Sequence, residues 1–72
     1  MSYVRLKVTI DTLVKTGLEK VNVLGMDEAR NDLWQIYELC QELMAFWDSE
    51  LTESRIDELE EIMAELPLLK KV

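Results

Sequence analysis

Residues 4–10, Val4-Arg5-Leu6-Lys7-Val8-Thr9-Ile10, alternate apolar and polar side chains without a break. Strict alternation is the pattern of a half-buried β-strand, so it predicts a strand over residues 3–10. After Ile10 the period lengthens. Ile10, Leu13, Val14, Leu18 and Val21 fall at i, i+3, i+4, i+8 and i+11, which is one face of a helix. The spacing predicts a first helix over residues 12–24, capped by Asp11 or Thr12 and stopped by Gly25 in the C′ position. Thr16-x-x-Glu19 forms a capping box that would allow a later start. Gly17 weakens such a helix by about 1 kcal/mol relative to Ala.

Asp27 is a good N-cap for a second helix over residues 28–47. Its apolar stripe is Ala29, Leu33, Ile36, Cys40, Leu43 and Trp47. Tyr37 and Met44 widen that stripe on one side, Leu39 and Phe46 on the other. An arc this broad covers more than one neighbour. Asp48-Ser49-Glu50 breaks the pattern. Thr52 then caps a third helix over residues 53–66, with Leu51 and Ile56 placed as a hydrophobic staple. Ile56, Leu59, Met63 and Leu66 form its stripe, with Ile62 beside it, and Pro67 ends it. Residues 67–72 read as a tail. The expected fold is mainly α with one N-terminal strand, in a single domain spanning residues 1–72.

A lone strand exposes unpaired N–H and C=O groups. A second copy of the strand, from a second chain, satisfies them. A chain of 72 residues also sits where one core is marginal and oligomerisation is a common remedy. The pattern therefore predicts a homodimer joined by an intersubunit antiparallel β-ribbon, whose polar face carries Arg5, Lys7 and Thr9.

Hydrophobic residues make up 49% of the chain, which argues against disorder. No apolar run approaches the ~18 residues of a membrane span, and the N-terminus lacks the layout of a signal peptide. A single cysteine, Cys40, excludes an internal disulfide and fits the reducing cytoplasm. It is centred in the apolar stripe, where it reads as a packed small hydrophobe. The net charge of −7 argues at first against nucleic acid, but the charge is unevenly spread. Residues 1–25 carry four basic and two acidic side chains, a net of +2; residues 26–72 carry four basic and thirteen acidic ones, a net of −9. Such asymmetry suggests a working end and a solvated or partner-binding end.

Strand, helix, glycine turn and capped helix follow the order of the ribbon-helix-helix DNA-binding family, which residues 3–47 resemble. Val4, Leu6, Val8 and Ile10 match its inward strand positions, and Arg5, Lys7 and Thr9 its outward, base-reading ones. Leu24-Gly25-Met26-Asp27 resembles its turn. The additional helix resembles the helix-extended members from spindle-shaped archaeal viruses. The resemblance implies a small transcriptional regulator whose ribbon enters the major groove of double-stranded DNA. Asp27 and Glu28 depart from the family, because they place negative charge where a phosphate would dock.

Catalytic chemistry finds no footing. There is no histidine, no nucleophile–base set, no glycine-rich phosphate loop and no cysteine or histidine cluster for a metal. No cofactor is expected. The acidic outer face of the third helix (Glu53, Asp57, Glu58, Glu60, Glu61 and Glu65) supports a second reading. In it the chain is an acidic helical interaction module, inhibitor-like, antitoxin-like or a DNA mimic, that binds a basic protein. Trp34, off the main stripe, is expected to pack on the third helix, or else to anchor a partner.

Overall fold

A computed structural model describes residues 2–48 and 51–67 and contains three helices, α1 (Tyr3–Leu24), α2 (Met26–Trp47) and α3 (Glu53–Met63). Among the described residues there is no strand. The expected strand over residues 3–10 is instead the first two turns of α1. This overturns the mainly-α-plus-strand fold class, the intersubunit β-ribbon, and the resemblance to the ribbon-helix-helix family and its viral variants.

Two local causes favour the helix. Ser2 sits in extended conformation at the N-cap, where its hydroxyl accepts a hydrogen bond from the Arg5 N–H at 3.3 Å. The Ser2 carbonyl accepts from Leu6 N–H at 3.1 Å, so a polar residue outside the alternating window starts the helix. Leu6, Ile10, Val14 and Gly17 then form one buried stripe, spaced by four, four and three. A helix over residues 3–24 satisfies its backbone internally, and the need for a pairing chain disappears with the strand. Val4 and Val8, the other two apolar positions of the alternation, are 67% and 59% exposed.

Gly25 joins α1 to α2 with φ +85°, a left-handed conformation that costs glycine little. Its N–H donates to the Val21 carbonyl at 2.8 Å and its carbonyl accepts from Ala29 N–H at 3.1 Å. One residue thus closes one helix and opens the next. Asp27 lies inside the first turn of α2 rather than at its cap, where its charge complements the helix dipole. The two helices fold back as a hairpin tied by a Lys20–Asp32 ion pair at 3.3 Å. Helix α3 returns alongside α1 in the same direction. Its N-terminal half meets Tyr3, while Leu66 beyond its end reaches Gly17. It is shorter than the expected 53–66, and Ala64 caps it ahead of Pro67. Thr52 stands at the N-cap position of α3 without a side-chain capping bond. Ser49, Glu50 and the tail residues 68–72 lie outside the described residues.

The core comprises Leu6, Ile10 and Val14 from α1, Ala29, Leu33 and Cys40 from α2, and Leu59, Met63 and Leu66 from the last segment. All three segments converge at Gly17. A Cβ built there would stand 2.8 Å from Leu33 Cδ2, 3.1 Å from Leu66 Cδ2 and 3.3 Å from Ile36 Cδ1. The low helix propensity of glycine is therefore offset by close approach of the neighbouring segments. A second tie lies at the other end of α1. The Tyr3 hydroxyl donates to Glu58, and the Arg55 guanidinium lies 4.3 Å above the Tyr3 ring, a cation–π contact.

Two outcomes follow from this packing. Gly17→Ala gains about 1 kcal/mol of helix propensity but overpacks three buried or half-buried neighbours, so the net effect is a loss of about 1–2 kcal/mol in urea denaturation. A stabilised variant would show that Leu33 and Leu66 yield without cost. Tyr3→Phe loses about 0.5–1 kcal/mol at neutral pH, as expected for an exposed hydrogen bond. The bond to Glu58, then partial burial, raise the Tyr3 phenol above 10.0 in the folded state. Its contribution is accordingly whole below pH 10 and lost as pH rises through the folded value. The stability gap between wild type and Tyr3→Phe should close on that alkaline limb; a gap that persists there contradicts the bond.

Candidate interaction surfaces

Arg5, Lys7 and Thr9 do not form one face. On a helix Arg5 and Thr9 lie one turn apart on the same side, and Lys7 is about 160–200° round from both. Arg5 and Thr9 line a shallow depression of about 340 Å³ with Val4 and Val8. The Thr9 hydroxyl donates to the Arg5 carbonyl at 2.8 Å, which commits its proton to the backbone. Lys7 instead lines a separate depression of about 320 Å³ with Glu58, Glu61, Ile62 and Glu65 of the α3 segment. The structure thus separates the three side chains that the alternating pattern brought together, and gives Lys7 an acidic setting.

The acidic surface is as the helical spacing of residues 53–65 suggested. Glu53, Asp57, Glu58, Glu60, Glu61 and Glu65 are all exposed. Asp57/Glu61 and Glu61/Glu65 stand at i, i+4, where like charges repel by a few tenths of a kcal/mol. The ion pairs among the described residues are Lys15–Asp11, Lys20–Asp32 and Arg30–Asp27, and none involves an α3 carboxylate. Arg55, the one cation of α3, is held over Tyr3 on the side facing α1.

A second surface was not foreseen. Between α2 and α3 run two adjoining depressions of about 190 and 90 Å³ that share Gln41 and Met44. Tyr37 and Met63 line one end, Ala45 and Ile56 the other. The widening of the α2 stripe by Tyr37 and Met44 was its only trace in the sequence. These side chains face a trough rather than closing fully on α3. Small residues at the seam, Ala45 and Ala64, leave it open. Trp34, 41% exposed, lies edge-on to Tyr37 one turn along α2, with ring centroids 5.6 Å apart and planes at 74°. On the other flank of α2, Leu39 and Phe46 are 45% and 73% exposed.

Among the described residues no group of three or more His, Cys, Asp or Glu side chains is arranged to hold a metal, and no helix is long and apolar enough to cross a membrane. No protein family, characterised protein or solved structure matches the chain.

Cys40 is fully buried and burial pushes its thiol up to about 11. At pH 7 its thiolate fraction is on the order of one part in ten thousand, so the side chain serves packing. A thiol reagent should label the native protein only as fast as the core opens, and the urea-unfolded protein at once. Prompt stoichiometric labelling of the native state would place Cys40 at the surface instead.

Proposed function

We propose that this chain is an acidic helical protein–protein interaction module, acting in the cytoplasm, whose partner presents a basic surface. The supporting observation is the face of α3: six exposed carboxylates within residues 53–65, none in an ion pair among the described residues. Held on α3 and the turn that follows it, they repel one another, and a cationic partner relieves that repulsion on binding while the field of the patch speeds encounter. The lone thiol, buried and unpaired, suits the reducing compartment. The major-groove ribbon has no counterpart in this fold, and a net charge of −7 favours a cation over a phosphate backbone as ligand.

A fluorescent oligolysine peptide tests the reading by anisotropy titration. Replacing Glu58, Glu61 and Glu65 together with Gln should weaken binding about tenfold or more and flatten its salt dependence. Neutralising Glu19, Glu28 and Glu38, an equal change in net charge on other faces, should change affinity by less than about twofold. Equal losses from both triple variants would contradict a specific face. So would binding of duplex DNA in preference to the cationic peptide.

A further inference from the structure

We infer that the trough between α2 and α3 is the docking site for a cationic amphipathic helix of a partner protein. The inference rests on the acidic-module reading and deepens it by giving the partner a shape and an apolar side. Three observations carry it.

The floor of the trough is apolar and adaptable. Met44 is shared by both depressions, between Tyr37 on one side and Ile56 on the other, and the buried Met63 lines the Tyr37 end. Methionine is unbranched and polarisable, which suits a surface that must mould to another chain's side chains. The trough also runs along two helices, so it has the elongated form that accepts the apolar face of a third.

The rims are acidic. Asp48, the C-cap of α2, lies at one end and Glu60 on α3. Glu53, Asp57 and Glu60, at i, i+4 and i+7, share the flank of α3 that carries Glu60. Among the described residues none of them is in an ion pair. Between Asn31 and Leu69 the chain has eleven carboxylates and a single basic residue, Arg55. Arg55 lies over Tyr3, on the side of α3 that faces α1. An apolar strip bordered by carboxylates is complementary to a helix with apolar residues on one face and Lys or Arg flanking them. A second copy of this chain, at net −7, would bring like charge to those rims.

The polar groups within the trough are compatible with an apolar guest. Gln41 Nε2 donates to the Tyr37 hydroxyl at 3.0 Å, which pairs two polar groups with each other. No buried side-chain nitrogen or oxygen among the described residues lacks a partner.

The test uses the full chain with ¹³C-methyl-labelled methionine and a designed Leu/Lys peptide whose leucines fall on one helical face. A scrambled peptide of the same composition serves as control. The amphipathic peptide should shift the Met44 and Met63 methyl resonances and leave Met26, at the far end of α2, unmoved. The scrambled peptide should bind at least about tenfold more weakly. Ala45→Trp fills the trough at an exposed position; it should weaken the amphipathic peptide about tenfold while leaving oligolysine binding unchanged. Glu60→Lys, a surface change that keeps the fold, should weaken the amphipathic peptide as well. Unmoved Met44 and Met63 resonances, or full affinity in both variants, would overturn the trough. If oligolysine binding depends on Glu58, Glu61 and Glu65 while Ala45→Trp has no effect, the acidic-face reading stands and the trough falls. If Met44 and Met63 respond but oligolysine does not bind, the trough stands and the outer face is not the recognition element.

Discussion

The close approach at Gly17 sets the geometry of the whole bundle. Leu33 and Ile36 of α2 and Leu66 beyond α3 all enter the space that a side chain there would fill. Any Cβ pushes back on at least one of them, and the buried leucines have little room to retreat. The contact fixes how deeply α2 nests on α1. It also anchors the chain after α3, whose other end is held by Tyr3, Arg55 and Glu58. Helix α3 is therefore fastened at both ends to α1. It is left looser along α2, and the trough runs along that seam.

Charge follows the same division. The cations of α1 and the start of α2 are largely engaged within the fold: Lys15 with Asp11, Lys20 with Asp32, and Arg30 with Asp27. These exposed pairs contribute little to stability, but among the described residues they leave the remaining carboxylates of α2 and α3 outside any ion pair. A bundle tied together mainly by apolar contacts can tolerate an uncompensated acidic flank, because like-charge pairs on an exposed helix cost only tenths of a kcal/mol each. Stability and surface charge are thus carried by different residues of the same short helix: Leu59 and Met63 on its inner side, and the glutamates on its outer one.

Much of the helical core was legible in the sequence. Val14 of α1, the stripe of α2 and the Leu59–Met63–Leu66 spacing all occupy the positions that their periodicity indicates. The N-terminal segment was not. Leu6 and Ile10 are four residues apart, so they satisfy both a period of two and a helix turn. Val4 and Val8 complete an apolar–polar alternation that fits a strand as well. The signal that decides is longer than the window: Tyr3, Leu6, Ile10, Leu13 and Gly17 continue one helical face through residue 17, with Ser2 as the cap. The separation of Arg5 and Thr9 from Lys7 follows directly from that change of period. Gly17 was legible only as a weakness, because its role depends on Leu66, nearly fifty residues away. The trough was equally hidden, since an open seam depends on how two helices meet and not on either one alone.

The helical state of residues 3–10 underlies the Gly17 register, the separation of the basic side chains and the acidic flank left free on α3. Backbone ¹³Cα chemical shifts of these residues in solution test it most directly. Shifts displaced to the helical side, continuous with those of residues 11–24, are the expected result. Strand-like shifts over residues 4–10, accompanied by cross-strand proton contacts to a second chain, would contradict it.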